Sequence, residues 1–269
     1  MAYLARMQDG TRFFFLSLSV SILMLAGLGY SPASLAAPGL SLTTGYDYSS
    51  GDYGDDIKTE ISSVPFIAKY ETERWTFKLT VPYVTIKGPG DVIPDIGQVN
   101  SQPVRRRTTE SGLGDTVASA TYSFYPTFAQ GLILDVTGKI KFATADEDKG
   151  LGTGENDYAV QVDAYKGFGK FTAIAGVGYR VYGDPSFGTL DNVFYGSLGG
   201  AYRLSPATSA GVIYDYRPKI TDTGSEISEA LAFVSHKLSE QWKAQAYLVK
   251  GFSDGSPDYG GGLMLGYSF

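Results

Sequence analysis

The amino-acid sequence predicts an all-β fold, a transmembrane antiparallel up-and-down β-barrel of 12 strands. Its 269 residues are rich in Gly, Tyr and Phe (34, 20 and 15 residues), which are common in strands and tight turns. Segments of roughly ten residues alternate between large apolar and small or polar side chains, which is the pattern of a strand with one lipid-facing side. The connections between these segments alternate between short and long, as they do in bacterial outer-membrane barrels.

The composition argues against several classes of functional site. The chain has no Cys, so it cannot hold a disulfide, a thiolate zinc site or a Cys nucleophile. Its single His, His236, leaves most metal and acid–base chemistry without the usual residue. The net charge of −6 is unlike the basic surface that a nucleic-acid partner requires. We therefore expect no cofactor, no metal ion, no nucleic-acid partner and no enzymatic activity.

The first segment, residues 1–36, has the features of a secretory signal peptide. Basic residues precede an apolar stretch that runs from Phe13 to about Gly29, and small residues follow at the spacing that a signal peptidase needs. We expect cleavage after Ala36, which leaves residues 37–269 as the barrel. The alternative is an uncleaved membrane anchor, because the apolar stretch is close to the length of a spanning helix.

Period-two alternation marks the strands. In LILDVTGKIKF, Leu134 and Val136 share one face while Asp135 and Lys139 share the other. Clusters of Gly, Pro, Asp and Ser separate such segments. The twelve predicted strands are about 40–48, 57–70, 75–86, 112–125, 132–143, 156–166, 171–182, 193–204, 209–217, 227–238, 243–251 and 259–269.

The connections and the strand ends predict the orientation in the membrane. Short connections such as 72–74 and 167–170 suit periplasmic turns, and longer ones, up to the 25 residues of 87–111, suit outer loops. Aromatic residues collect at the strand ends, as in the interface girdles of such barrels. The terminal Phe269 matches the C-terminal aromatic signal of the barrel-assembly machinery. We therefore expect a barrel in the outer membrane of a Gram-negative bacterium, with lipid, lipopolysaccharide and, during biogenesis, that machinery as partners.

Two stretches, 111–125 and 139–185, resemble the outer-membrane family of phenol-degradation meta-pathway proteins, which are often labelled transporters. The likeness rests on Gly112-Leu113-Gly114-Asp115, on the strand end from Lys141 to Asp146, on Gly152-Thr153-Gly154 and on Gly178-Tyr179. The chain departs from the family pattern at Ala143-Thr144-Ala145-Asp146, where a Pro-Thr-Gly-Asp run is expected. The resemblance implies a twelve-stranded outer-membrane barrel that passes small compounds, aromatic or hydrophobic ones among them.

Strand parity identifies charged residues that face the barrel interior. The candidate lumen and mouth residues are Asp115, Asp135, Lys139, Lys141, Asp163, Arg180, Arg203, Asp215, Arg217 and Glu229. They form either mutually neutralising pairs that fill a narrow lumen or a polar passage. In the second case, we expect Lys141, Arg180 and Arg217 to favour acidic solutes at the mouth.

The long loop 87–111 also affects whether the barrel is an open passage. It is long enough to fold inward and constrict the mouth. Its basic run, Arg105, Arg106 and Arg107, is either solvated surface or a contact for lipopolysaccharide phosphates or an anionic ligand.

The function that fits these features is passive and selective uptake of small molecules through an outer-membrane channel. The alternative is a structural or surface-interaction barrel with a filled lumen. Ser235 and His236 are neighbours, but adjacent strand residues point to opposite faces, so they cannot form a nucleophile–base pair. We expect His236 to lie on the lipid side, near the periplasmic girdle.

Overall fold

Twelve antiparallel strands form the protein in the part of the chain that the structure describes. The structure is a computed structural model that describes residues 39–54, 57–90, 92–94, 96–98, 108–127, 129–222 and 224–269. The strands are Gly39–Gly51 (β1), Thr59–Glu71 (β2), Trp75–Gly88 (β3), the short Val92–Ile93 (β4) and Gly97–Gln98 (β5), Thr108–Leu113 (β6), Thr116–Phe124 (β7), Leu132–Phe142 (β8), Asp157–Phe168 (β9), Phe171–Val181 (β10), Val193–Arg203 (β11), Thr208–Arg217 (β12), Ile227–Lys237 (β13), Trp242–Gly251 (β14) and Tyr259–Ser268 (β15). The strands β6 and β7 are two parts of one barrel strand, and β4 pairs with β5 inside the loop after β3.

The sheet closes on itself. Each barrel strand pairs with its neighbours in sequence, and the first strand, β1, pairs with the last, β15, along the register from Ser41–Ser268 to Ser50–Tyr259. Closure removes the open edges that β1 and β15 would otherwise present, and lipid demands such pairing of a spanning β-structure. The predicted fold class and strand number are confirmed, and most strand ends lie within a few residues of the predicted ones. Below, the end of the barrel with the short connections is called the turn end, and the other is called the loop end.

One barrel strand is interrupted between β6 and β7, where the sequence predicts a continuous strand. The partner strand β3 carries Pro82 at this level, and Pro has no N–H to donate to the ladder. The chain passes this point with Gly114 and Asp115 outside regular pairing, and the Gly114 N–H donates to the Pro82 carbonyl at 2.9 Å. The interruption brings Asp115 to the inner face.

The outer wall is apolar and exposed. Leu198, Leu248 and Leu263 are each about two-thirds exposed or more (67%, 72% and 67%), which water would penalise and lipid does not. At the turn end, Trp242 packs edge-on against Tyr267, and Tyr267 packs edge-on against Phe269. These rings form part of an interfacial girdle.

Helix is almost absent from the described ranges. Their one helix is a 3₁₀ turn at Glu147–Lys149. No described helix is long and apolar enough to span a membrane. The predicted signal peptide, 1–36, lies outside the described residues.

Large side chains on the inner face lie over glycines of the adjacent strand. The Tyr195 ring covers Gly178, the Phe233 ring covers Gly211, and the Tyr247 hydroxyl lies 2.6 Å from where a Cβ of Gly262 would be. In each pair the two residues are direct cross-strand partners. Glycine is required at these positions because a side chain would occupy the space that the ring fills. These pairs narrow the lumen.

Candidate functional site

The ten candidate residues lie at the inner wall and separate into levels along the barrel. Eight are buried and two, Lys139 and Arg203, are half-buried. Lys141, Arg180 and Arg217 lie at the loop end of their strands with Asp115, whereas Arg203 ends its strand at the turn end. The buried residues are Asp115, Asp135, Lys141, Asp163, Arg180, Asp215, Arg217 and Glu229.

An ion-pair cluster of Asp115, Lys141, Asp157 and Arg180, here called the outer cluster, occupies the loop end. The Lys141 ammonium lies 3.1 Å from Asp115 Oδ2 and 3.0 Å from Asp157 Oδ2. Arg180 Nη2 donates to the same Asp157 oxygen at 2.7 Å. The side chains are at most 10% exposed, so solvent screens these pairs little.

The outer cluster also anchors two outer loops. Backbone N–H groups of Thr144 and Ala145 donate to Asp115 Oδ1 at 3.1 and 3.0 Å, and the Gly183 N–H donates to Asp157 Oδ1 at 3.1 Å. The Lys141 ammonium donates to Thr153 Oγ1 at 2.9 Å. Asp115, Lys141 and Asp157 therefore each have hydrogen-bond partners beyond the ion pairs, which offsets the cost of burying them.

The outer cluster changes the expected electrostatics of the mouth. Sequence parity placed Lys141 and Arg180 there as cations that would attract acidic solutes, but both lie against carboxylates. Asp157, the carboxylate they share, was not among the candidate residues. It has the same parity as Asp163 on β9, so the sequence contained the signal for its inward position.

Arg217 joins the barrel wall to the long loop. Its Nη1 donates to the Tyr182 hydroxyl at 2.8 Å, and its Nη2 donates to the Ile96 carbonyl at 3.3 Å. Ile96 belongs to the loop between β3 and β6, and its neighbour Ile93 is also buried. This part of the loop therefore folds over the mouth. The basic run at 105–107 lies outside the described residues.

Apolar side chains from several loops meet at the mouth. Ile93 and Ile96 pack with Leu190 and Ile220 from two other outer loops, and the Asp191 N–H donates to the Ile220 carbonyl at 2.8 Å. Together with two residues at the top of the wall they form the mouth cluster. The mouth cluster is Ile93, Ile96, Tyr182, Leu190, Val193 and Ile220.

Two further loops send an apolar residue inward. Leu151 of the β8–β9 loop and Tyr53 of the β1–β2 loop are both almost fully buried against the inner wall. Tyr53 has a positive φ of 52°, which is uncommon outside glycine and directs its ring into the barrel. Burial raises the pKa of its hydroxyl, which therefore stays neutral.

A polar network lies in the middle of the lumen, between β8 and β11. Gln161 Nε2 donates to Asp163 Oδ1 at 2.7 Å, while Gln161 Oε1 accepts from the Tyr195 hydroxyl at 3.1 Å and from the Lys139 ammonium at 2.5 Å. Lys139 also lies over the Tyr195 ring, 5.9 Å from its centroid. The network fixes Lys139 beside Asp163 in the lumen.

Near this polar network, inward-facing carboxylates are direct cross-strand partners in two pairs of strands. Asp135 of β8 is the direct partner of Asp163 of β9, and Asp215 of β12 is the direct partner of Glu229 of β13. All four side chains are inward and buried. Asp215 lies close enough to Glu229, Asp163 and Lys139 to interact with them electrostatically.

Several buried polar atoms of the inner wall have no hydrogen-bond partner among the residues described. They include Asp47 Oδ2, Asp215 Oδ1, the Tyr247 hydroxyl and both amide atoms of Gln245. Buried polar groups without protein partners need water or solute, since leaving them dry costs about 1–3 kcal/mol each. Asp47 and Gln245 were not among the candidates, although strand parity places both on the inner face.

His236 lies on the lipid side of β13. It is exposed, and its Nδ1 is hydrogen-bonded to Thr208 Oγ1 at 2.8 Å. Ser235, its neighbour, is buried on the inner face. The two side chains are therefore on opposite sides of the wall. The expectation that the protein is not an enzyme remains a prediction.

Comparison with solved structures finds outer-membrane barrels of similar fold. The chain is similar to the KdgM porin, with 11% identity, a TM-score of 0.53, and coverage of 85% of this chain and 99% of that one. It also matches the P. putida toluene transporter TodX (10% identity, TM-score 0.43, coverage 87% and 90%). A third match is the outer-membrane channel DcaP of Acinetobacter baumannii (11% identity, TM-score 0.41, coverage 87% and 96%).

Sequence comparison places the chain in a family. No curated protein matches it. The family model described as "Putative MetA-pathway of phenol degradation" matches residues 63–269. The match covers the whole barrel except β1 and the first four residues of β2. With its closed barrel and lipid-compatible wall, the protein is an outer-membrane protein of the Gram-negative type. It belongs to the phenol-degradation MetA-pathway family.

Proposed function

We propose that the protein is a passive outer-membrane channel for small molecules. The observation that carries the proposal is the set of buried polar atoms on the inner wall without protein partners, among them Asp47 Oδ2 and the side-chain amide of Gln245. A barrel filled only for stability would satisfy such groups with one another. The lack of protein partners for these polar atoms therefore favours a hydrated lumen.

Selectivity follows from the mouth and from the mixed inner wall. The mouth cluster and the inserted residues Tyr53 and Leu151 narrow the entrance with apolar side chains, and an apolar constriction excludes water when it is narrow. Below the entrance, Ile213 and Leu231 are direct cross-strand partners. They lie on the inner face two residues along their strands from the pair Asp215 and Glu229. A wall with apolar and charged sides favours small amphipathic molecules, and its apolar side also suits aromatic or hydrophobic compounds.

The second candidate is a structural or surface-interaction barrel with a filled lumen. The burial of most inward charges and the closure of the mouth by loop side chains favour it. In that case the outer loops would bind the partner. The two candidates differ in one property, since only a channel conducts.

The test is conductance of the purified, full-length protein in planar bilayers, first with KCl and then with aromatic and aliphatic acids and neutral aromatic compounds. Heat-modifiable migration on a gel verifies that the barrel is folded. Stepwise openings that carry at least one of these solutes support the channel. Folded protein that never conducts, with or without residues 90–106, supports the structural barrel.

Further proposals concern biogenesis and contacts. The signal peptide 1–36 would direct export, and Phe269 would engage the barrel-assembly machinery. Lipid contacts the apolar wall, and lipopolysaccharide would contact the outer loops. N-terminal sequencing of the protein extracted from outer membranes tests the first of these, because cleavage after Ala36 makes Ala37 the first residue.

A further inference from the structure

The middle of the lumen holds more acidic than basic side chains. Five buried carboxylates of the described inner wall lie outside the outer cluster, and the Lys139 ammonium lies among them. The carboxylates are Asp47, Asp135, Asp163, Asp215 and Glu229. Lys141 and Arg180 do not balance them, because Asp115 and Asp157 already pair with those cations.

Arg217 is also inward and buried, but it lies at the loop end, where it binds the Tyr182 hydroxyl and the Ile96 carbonyl. Further inward-facing basic residues are found at the turn end. Lys69 and Lys78 lie within three residues of the turn end of their strands, and Arg203 ends its strand there. Lys69 is paired with Glu71 at 2.7 Å. These side chains are half-buried rather than buried, so water and salt screen them more than they screen the middle of the lumen.

The carboxylates stand close together in two facing pairs. Asp215 and Glu229 are direct cross-strand partners, as are Asp135 and Asp163, and like charges directly opposite each other are destabilising. Asp215 Oδ1 is buried and has no hydrogen-bond partner in the described ranges, and the same holds for Asp47 Oδ2. Buried carboxylate oxygens without donors are sites for a cation or for its hydration water.

We propose that the lumen selects small cations over anions, and that Asp163, Asp215 and Glu229 determine this selectivity. The inference rests on the proposed channel function and replaces the anion preference that the basic residues of the mouth suggested. Rings of acidic side chains at a constriction make a pore cation-selective because they replace lost hydration and repel anions. The charges of the outer cluster neutralise one another, so the cluster adds little to the electrostatic potential in the lumen.

The experiment is the reversal potential of the full-length channel in neutral phosphatidylcholine bilayers under a KCl gradient. The wild type is expected to have a K⁺ to Cl⁻ permeability ratio above one. The double variant Asp215→Asn/Glu229→Gln removes one facing pair, and its ratio falls towards one. The matched control, Asp184→Asn/Asp191→Asn, removes the same charge from exposed positions of one outer loop and keeps the wild-type ratio.

A second measurement needs no variant. Acidification protonates the carboxylates, so the wild-type permeability ratio falls as the pH is lowered.

A wild-type ratio at or below one, or a ratio that the double variant does not change, overturns this inference and leaves the channel function standing. A folded wild-type protein that never conducts overturns the channel function, and this inference falls with it.

Discussion

The carboxylate of Asp157 lies 2.7 Å from the guanidinium of Arg180, and both side chains are nearly excluded from solvent. The same carboxylate oxygen is 3.0 Å from the Lys141 ammonium. One acidic residue at the start of β9 therefore holds two of the cations that the sequence placed at the mouth.

Replacing Asp157 by Asn should destabilise the barrel. The change leaves two buried cations with one remaining carboxylate, and removing one partner of a buried pair costs about 3–5 kcal/mol. Urea unfolding in lipid vesicles measures the loss, and the permeability ratio should move towards anions in the folded fraction. The control is Glu240→Gln, which breaks the exposed pair with Lys237 and should change stability far less. Equal effects of the two variants would contradict the role given to Asp157.

Deleting residues 90–106 should raise single-channel conductance. The deletion removes Ile93 and Ile96 from the mouth cluster and the carbonyl that Arg217 binds, so the entrance widens. Planar-bilayer recordings measure the change. Ile96→Ser should give a smaller increase, and Phe187→Ser, a change at a more exposed residue of a neighbouring outer loop, should give none. Unchanged conductance in the deletion variant would mean that this loop does not restrict the passage.

Introducing a side chain at Gly178 should destabilise the barrel because its Cβ would overlap the Tyr195 ring. Gly178→Val is expected to cost roughly 1–3 kcal/mol, as overpacked sites do. Adding Tyr195→Ser should recover part of the loss. Gly138→Val is the control, since no described atom lies within 4 Å of its Cβ position on the lipid side. Thermal loss of the heat-modifiable form compares the variants, and a Gly178→Val protein as stable as wild type would argue against the close packing.

Replacing His236 by Ala should change neither conductance nor any hydrolytic activity. The side chain is exposed on the lipid side and is hydrogen-bonded to Thr208, so it does not reach the lumen. Lipase, protease and deacylase assays on refolded protein are the measurement. Activity in the wild type that His236→Ala abolishes would show that the protein is an enzyme.

The sequence predicts the strands well because alternation is a local property. The segment at 132–142 shows it over the whole of β8, and the structure places Asp135, Lys139 and Lys141 on the inner face, as parity requires. Strand parity also predicts that Asp157 and Asp47 face inward, although neither is among the ten candidate residues. The break between β6 and β7 depends on Pro82 of the neighbouring strand, so the pattern of one strand alone does not reveal it.

The mouth is harder to predict from the sequence. Leu151, Leu190 and Ile220 are single apolar residues in polar loops, and such residues are ordinarily exposed at no great cost. Their burial depends on loops that are distant in sequence and meet only after the barrel has closed. The pairing of Lys141 with Asp115 and Asp157 likewise needs the register of three strands.

The N–H of Phe269 donates to the carbonyl of Leu40 at 3.0 Å, next to the seam between β1 and β15. This seam joins the two strands that a ribosome makes furthest apart in time. A chain that stops before β15 has two open edges and cannot hide them in a bilayer, because every backbone group there needs a partner. Prematurely ended or clipped chains should therefore remain in the periplasm as substrates for proteases, so that only chains carrying β15 reach the membrane.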